Sequence, residues 1–151
     1  MKHELRNQRL LLIEPQIFEQ ACARLDEATN AKMETDCWGD ELPEMEIENG
    51  VAVIPICGVI ANRIPEIFTA FFYCDCQQIC EWIDEANERE DVSRIVLAID
   101  SPGGTVSGVI ELAAKISACN KPVDAFTDGQ CCSAAYWLAC AARSITATPS
   151  A

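Results

Sequence analysis

The chain has 151 residues, half of them hydrophobic, with 24 acidic and 11 basic side chains and ten cysteines. Its length fits one domain, and its apolar content is sufficient for a packed core, which excludes a wholly disordered chain. A net charge of −13 opposes the phosphate neutralisation that nucleic-acid binding requires, so the sequence argues against a nucleic-acid partner.

The first 49 residues are predicted to form an appendage that precedes the main domain. Pro15 followed by apolar residues at helical spacing predicts a helix over 15–29. Residues 33–48 carry seven acids and no base, which predicts a solvated linker. The apolar run Leu10–Ile13 is too short for a signal-peptide core or a membrane span. These features predict a cytoplasmic, reduced protein without a membrane partner.

Residues 50–151 are predicted to form the main domain, in which strands and helices alternate. Runs rich in Val and Ile predict strands, and apolar residues at helical spacing predict helices. The predicted strands cover 51–56, 94–99, 123–127 and 144–148, and the predicted helices cover 77–90, 106–116 and 133–142. The form of residues 60–73 is left open. This order indicates an α/β domain with a mainly parallel sheet.

Two loops of the predicted domain carry residues that could perform chemistry. Residues 100–105 read DSPGGT after a buried strand, and residues 128–137 read DGQCCSAAYW at the start of a helix. The carboxyl ends of strands are where an α/β sheet normally forms its site. Paired glycines let backbone N–H groups point at a ligand, and a serine between strand and helix lies where a nucleophile can be exposed. Taken alone, both patterns are also typical of a tight turn and a helix N-cap.

The order DSPGG, then Lys121-Pro122-Val123, then SAAYW resembles the signal peptide peptidase A family of serine peptidases, and most of all its phage capsid maturation protease branch. The thirty positions from Gly103 to Ser133 also match the related Clp proteases and the crotonase-like fold. The resemblance covers about residues 50–151. It implies a Clp/crotonase-like α/β domain of repeated β-β-α units, and it predicts that this chain is the N-terminal part of such a domain, truncated at its C-terminus.

The resemblance also implies roles for particular residues. Ser133 matches the nucleophile, and the backbone N–H groups of Gly104 and Ala134 would form the oxyanion hole. Pro102 and Gly103 would shape the loop that carries Gly104. Donors of this kind stabilise charge that develops only in the transition state. The substrate would lie as an added strand beside the Gly104 segment.

The catalytic base is where this sequence departs from the family. Its single histidine, His3, lies in the appendage, which argues against a Ser-His-Asp or Cys-His arrangement and a zinc site built on histidine. Relatives use a Ser-Lys dyad, whose lysine follows a later Gly-Ser-Ile-Gly stretch that this sequence lacks. None of its lysines matches that base; they are Lys2, Lys32, Lys115 and Lys121. The sequence therefore predicts that the chain alone hydrolyses peptides poorly or not at all.

The predicted function is that of a serine endopeptidase that processes scaffold, portal or other head proteins of a phage, in the bacterial cytoplasm or the virion head. The resemblance also implies a homo-oligomer, and no cofactor is expected. One alternative is a non-catalytic assembly or interaction module that keeps the fold and Ser133. Another is a crotonase-like acyl-CoA enzyme. This alternative is weaker, because the helix after the second loop of this sequence carries no evident acid/base pair. The coding sequence beyond Ala151 would discriminate the first two, since a downstream lysine indicates the peptidase.

The cysteines admit two interpretations. Cys74, Cys76 and Cys80 could contribute to a metal site, but no second cysteine pair at zinc-finger spacing follows, so packing is the preferred prediction and no metal is expected. Packing is also preferred for Cys131, Cys132 and Cys140. Cys132 as a substitute nucleophile would need a nearby base or positive charge that the sequence does not identify.

Overall fold

The structure, a computed structural model, describes residues 11–12, 43–63 and 74–151. The predicted helix over 15–29 lies outside these residues, as do most of the predicted linker and residues 64–73. Within the described ranges the strands are β1 (Leu11–Leu12), β2 (Glu46–Glu48), β3 (Val51–Ala61), β4 (Cys74–Asp75), β5 (Arg94–Thr105), β6 (Val123–Cys131) and β7 (Ser144–Ala147). The helices are α1 (Cys76–Glu88), α2 (Val109–Ser117) and α3 (Ala134–Cys140).

The described strands form one sheet in the order β2-β3-β5-β6-β7. Strands β3, β5, β6 and β7 run parallel to one another, and β2 is antiparallel to β3. Strand β4 pairs with the end of β3, and β1 pairs antiparallel with the end of β5. The prediction of an α/β domain with a mainly parallel sheet is confirmed.

Three strands extend further toward their carboxyl ends than the sequence predicted. The DSPGGT segment, predicted to be a loop, is the last part of β5. It remains in the sheet because β3 continues beside it after a bulge between Cys57 and Val59, so that Gly103 pairs with Val59 and Gly104 with Ile60. The glycine-rich segment is therefore held by a neighbouring strand over most of its length.

Strand β2 lies within the stretch that was predicted to be a solvated linker. It pairs with β3 in a hairpin in which Glu48 lies opposite Val51. The two residues between them, Asn49 and Gly50, have φ values of 50° and 80°. Asn-Gly is the dipeptide that a two-residue hairpin turn favours, because both central residues need positive φ. The linker prediction is thus wrong for Glu46–Glu48, and the signal that would have corrected it was present in the sequence.

One face of the sheet forms the core with the helices. Ile54, Leu97 and Ala125 lie on neighbouring strands and are buried together with Ile83 of α1 and Leu138 of α3. Their alternation with less buried residues follows from the period of two in a strand. The core thus fixes the register of the central strands, whose carboxyl ends carry the predicted site residues.

The described helices are short, with 13 residues in α1, 9 in α2 and 7 in α3. Across the described ranges, no helix has both the length and the apolar character that crossing a membrane requires.

Candidate active site

Ser133 lies in the sharp turn between β6 and α3. It precedes α3 directly, is exposed, and has φ 54° and ψ −118°. Its side chain makes no capping hydrogen bond to α3, and an ordinary N-cap residue has negative φ. The geometry therefore argues against the interpretation of Ser133 as a simple helix cap.

Hydrogen bonds on both sides hold this turn in place. The N–H of Trp137 donates to the Ser133 carbonyl at 3.1 Å, and the N–H of Ala135 donates to the Cys132 carbonyl at 3.0 Å. Ala135 and Leu138 of α3 are fully buried, which anchors the helix against the sheet. The fold thus maintains a backbone conformation at Ser133 that costs about 1–3 kcal/mol in a residue other than glycine.

Ser101 connects the glycine-rich end of β5 to β3. Its hydroxyl donates to the Gly58 carbonyl at 2.6 Å and accepts a hydrogen bond from the Gly103 N–H at 3.1 Å. The residue is completely buried. Gly103 has φ 97° and Gly58 has φ 74°, so the hydroxyl links two segments whose backbones favour glycine. No local pattern of the sequence distinguishes Ser101, because its contact partner Gly58 lies 43 positions away.

Close packing requires a glycine at position 104, independently of the backbone access for which the sequence singled it out. A Cβ atom added at this position would lie 1.8 Å from the carbonyl oxygen of Ile60. That oxygen belongs to the backbone of β3 and cannot rotate away as a side chain could. Any other residue at this position would push β5 away from β3.

The two segments singled out in the sequence, at the end of β5 and at the end of β6, meet at one edge of the sheet. Cys131 of β6 pairs with Ser101 of β5, and the Cys132 N–H donates to the Ser101 carbonyl at 3.1 Å. The Asp100 carboxylate accepts a hydrogen bond from the Gln130 N–H at 2.8 Å. Backbone contacts and the Asp100 carboxylate therefore connect the turn that carries Ser133 to the segment that carries Gly103 and Gly104.

The lysines in the described part of the chain are bound elsewhere. Lys115 forms an ion pair with Asp84 of α1 at 2.5 Å. Lys121 donates to the carbonyl oxygens of Ala86 and Arg89, which lie near the C-terminal end of α1. The ammonium groups of both lysines therefore contact α1 or the residue that follows it.

Several cysteines near the sheet are held in the protonated thiol form. Burial raises the pKa of Cys76 to about 12, and burial also raises the pKa of Cys74 well above its ordinary value. Burial raises the pKa of Cys57, and the negative charge of Asp100 raises it further.

A neutral thiol packs as a small apolar group, and the packing prediction is confirmed for Cys74 and Cys76, which are buried in the core. It is wrong for Cys132 and Cys140, whose side chains are exposed. Among the described residues, no group of His, Cys, Asp and Glu side chains is arranged to hold a metal ion.

Comparison with known proteins gives consistent matches. The sequence model of the Clp protease family matches residues 75–151, about half of the chain. The head-tail preconnector protein GP5 of Enterobacteria phage P21 is 32% identical over 106 residues, which are 68% of this chain and 21% of that protein. The capsid assembly protease C of Escherichia phage lambda is 32% identical over 107 residues, which are 68% of this chain and 24% of that protein. The chain thus spans less than a quarter of the length of these two relatives.

Solved structures support the fold. A crystal structure of a member of the enoyl-CoA hydratase/isomerase family superposes with a TM-score of 0.54 at 21% identity, over 69% of this chain and 46% of that one. This comparison concerns the fold alone, and it confirms the predicted Clp/crotonase-like architecture. With the family match over residues 75–151 and the two phage relatives, the predicted resemblance to the phage capsid protease branch is confirmed, and the chain belongs to the Clp protease family.

Proposed function

We propose that the protein is a serine endopeptidase whose nucleophile is Ser133. The backbone of Ser133 carries this proposal, because an exposed serine with φ 54° and ψ −118° is held in a conformation that few residues adopt. Such strain persists where the surrounding structure enforces it, and it concentrates at functional sites. The sharp turn presents the hydroxyl at the end of the sheet, as a nucleophile requires.

The proposed reaction uses backbone groups on the two sides of this edge. Ser133 Oγ attacks the carbonyl carbon of a peptide bond, and its proton passes to a base. The N–H groups of Gly104 and Ala134 stabilise the negative charge on the carbonyl oxygen, an effect worth about 3–4 kcal/mol per donor in known enzymes. The amine product then leaves with a proton, and water hydrolyses the acyl-serine. Pro102 and Gly103 shape the segment that presents Gly104.

The proposed base is a lysine that lies outside the described part of this chain. Lys115 and Lys121 are engaged with α1, so neither is available to Ser133. A lysine of a different polypeptide, or of a longer polypeptide that includes these residues, would complete a Ser-Lys pair, in which a lowered pKa lets the amine accept the serine proton. This proposal explains why the 151 residues alone are expected to turn over peptides slowly.

The proposed substrates are proteins of a phage head, such as scaffold or portal proteins. Support comes from the two relatives, which are named as a capsid assembly protease and a head-tail preconnector protein. Self-association is proposed because the family resemblance of the sequence implies it, and the host cytoplasm or the assembling head is the proposed location. The substrate would bind in an extended form, because an added strand satisfies its backbone hydrogen bonds.

Labelling with a fluorophosphonate probe tests the nucleophile. The Ser133 oxygen displaces fluoride from phosphorus and its proton goes to solvent or to an added amine. We expect an adduct on Ser133, identified by mass spectrometry of proteolytic fragments, that forms slowly at pH 7. An added alkylamine is expected to accelerate the reaction several-fold, because it substitutes for the missing base.

The controls separate Ser133 from its neighbours. Ser133→Ala should lose the adduct, whereas Cys132→Ala and Ser107→Ala should keep it. An adduct on Cys132 instead of Ser133, or labelling that survives Ser133→Ala, contradicts the proposed nucleophile. Fast peptide turnover by the unaided chain that depends on Ser133 contradicts the proposed external base.

A non-catalytic assembly module is the second candidate function. The engagement of Lys115 and Lys121 with α1 favours it, because the described residues then supply no lysine base for Ser133. In this case Ser133 would form no adduct with the fluorophosphonate probe, even when the alkylamine is present. The labelling experiment therefore discriminates the two functions.

A further inference from the structure

The end of β5 has an edge that β6 leaves open. Strand β6 pairs with β5 as far as Cys131, opposite Ser101, and the chain then turns away into α3. On its other side, β5 remains paired with β3 through Gly104. Between Ser101 and Thr105, therefore, the edge of β5 that faced β6 can accept another strand.

Strand β1 occupies this edge. Leu12 lies opposite Gly104 and Leu11 lies opposite Thr105, in an antiparallel arrangement. Because β3 already fills the other side of β5 at Gly104, β1 must lie on the side that β6 has left. A segment from the N-terminal part of the chain thus pairs with the residue whose N–H is the proposed oxyanion donor.

We propose that the segment around Leu11–Leu12 is a tethered ligand of the strand-binding edge beside Ser133, and that a substrate must displace it. The backbone groups that β1 engages at the end of β5 are the ones that an added substrate strand would use. The inference rests on the proposed function, because it takes this edge to be the substrate site. It names extended apolar peptides as the ligand class, since the occupant belongs to the run Leu10–Ile13.

The covalent connection makes this competition effective. A tethered segment meets its site at an effective concentration on the order of millimolar, so a weak strand pairing can exclude a free peptide present at lower concentration. Removal of β1 from the edge should therefore strengthen the binding of a free peptide without any change in the edge itself. The proposed proteolytic site would then remain occupied until a substrate or an assembly partner displaces β1.

Hydrogen exchange measured on the full chain tests the occupancy. Proline lacks the backbone N–H that strand pairing uses, so Leu11→Pro together with Leu12→Pro should release β1. We expect amide exchange in the fragment that spans Gly103–Thr105 to become at least tenfold faster than in the unaltered protein. The matched control, Leu11→Val with Leu12→Val, keeps both N–H groups and should exchange like the unaltered protein.

Peptide binding measured on the same proteins tests the competition. A fluorescein-labelled peptide with the sequence of residues 8–15 should bind the double proline variant at least tenfold more tightly than the unaltered chain or the double valine variant. Leu12→Pro alone should give an intermediate affinity, which protects the test against a global effect of two prolines. A melting temperature equal to that of the unaltered protein would show that the sheet of the proline variants is intact.

Each outcome decides one of the two proposals. Equal exchange and equal peptide affinity in the proline and valine variants overturn the tethered ligand, whatever the reactivity of Ser133. Faster exchange and tighter binding in the proline variant support it even if Ser133 proves unreactive toward the fluorophosphonate. The addition of Ser133→Ala to the proline variant should leave peptide binding unchanged, because the edge and not the hydroxyl holds the peptide.

Discussion

The two ends of the parallel sheet are built by different means. At the carboxyl end, where Ser133 lies, the contacts are mainly backbone hydrogen bonds, together with the buried hydroxyl of Ser101 and the Asp100 carboxylate, which accepts from the Gln130 N–H. At the amino end, ion pairs prevail. Arg94 and Arg143 both contact the Asp124 carboxylate, at 3.3 Å and 2.9 Å.

The difference follows from what each end must do. Ion pairs at an exposed sheet end tie strands together but tolerate small movements, because water screens part of the attraction. A strained backbone at Ser133 needs neighbours that leave little freedom, and short contacts among buried backbone groups provide this. Three substitutions test this comparison.

Gly104→Ala tests the close contact at the carboxyl end. Its Cβ would overlap the Ile60 carbonyl, so β5 and β3 must separate, and the free energy of unfolding should fall by about 3 kcal/mol or more. Gly129→Ala is the matched control, because its Cβ would lie 2.4 Å from Asp100 Oδ1, which is the movable end of a side chain. Urea denaturation should show a loss of about 1 kcal/mol for this control. Equal losses in both variants would contradict the rigid contact.

Ser101→Ala tests the buried hydroxyl. It leaves the Gly58 carbonyl and the Gly103 N–H without this partner, which should lower the free energy of unfolding by about 1–3 kcal/mol. Ser93→Ala removes a hydroxyl that donates to the Gly50 carbonyl at an exposed position, and it should cost less than about 0.5 kcal/mol. Should the two variants unfold at the same urea concentration, Ser101 does not hold the segment of Gly103 in the way described.

Asp124→Asn tests the ion pairs at the amino end through their pH dependence. The hydrogen bond from Ser144 and the contact with Arg143 lower the pKa of Asp124 in the folded protein. A carboxylate of this kind stabilises the fold above its unfolded pKa of about 3.9, and the stabilisation is lost as the pH falls through the lower folded value. We expect the variant to melt at a lower temperature than the unaltered protein at pH 7, with the difference closing below about pH 4.

Asp91→Asn provides the control for this pH series. Its hydrogen bond with Arg89 also lowers the pKa of Asp91, but both side chains are exposed and belong to one local turn. We expect a smaller shift of the melting temperature at pH 7 than for Asp124→Asn, because exposed pairs contribute little. A difference for Asp124→Asn that persists unchanged at pH 3 would show that it arises from something other than the charge.

Local patterns in the sequence were sufficient for the class of the fold and the order of its elements. The strand that begins at Arg94 and the helix over 77–90 follow from hydrophobic spacing, which depends only on neighbouring residues. The hairpin at Asn49–Gly50 was also encoded locally, although the acidic composition of the linker obscured it. The order of DSPGG and SAAYW was enough to indicate the family.

The tertiary structure alone decided the contacts that shape the site. Gly104 meets Ile60 and Ser101 meets Gly58, in each case across more than forty positions of sequence. The positive φ of Ser133 and the pairing of Leu12 with Gly104 likewise depend on where other segments lie. No local pattern contains such information, because these contacts exist only after distant strands have been brought side by side. The sequence thus determined which residues stand in the two segments at the ends of β5 and β6, and packing decided what surrounds them.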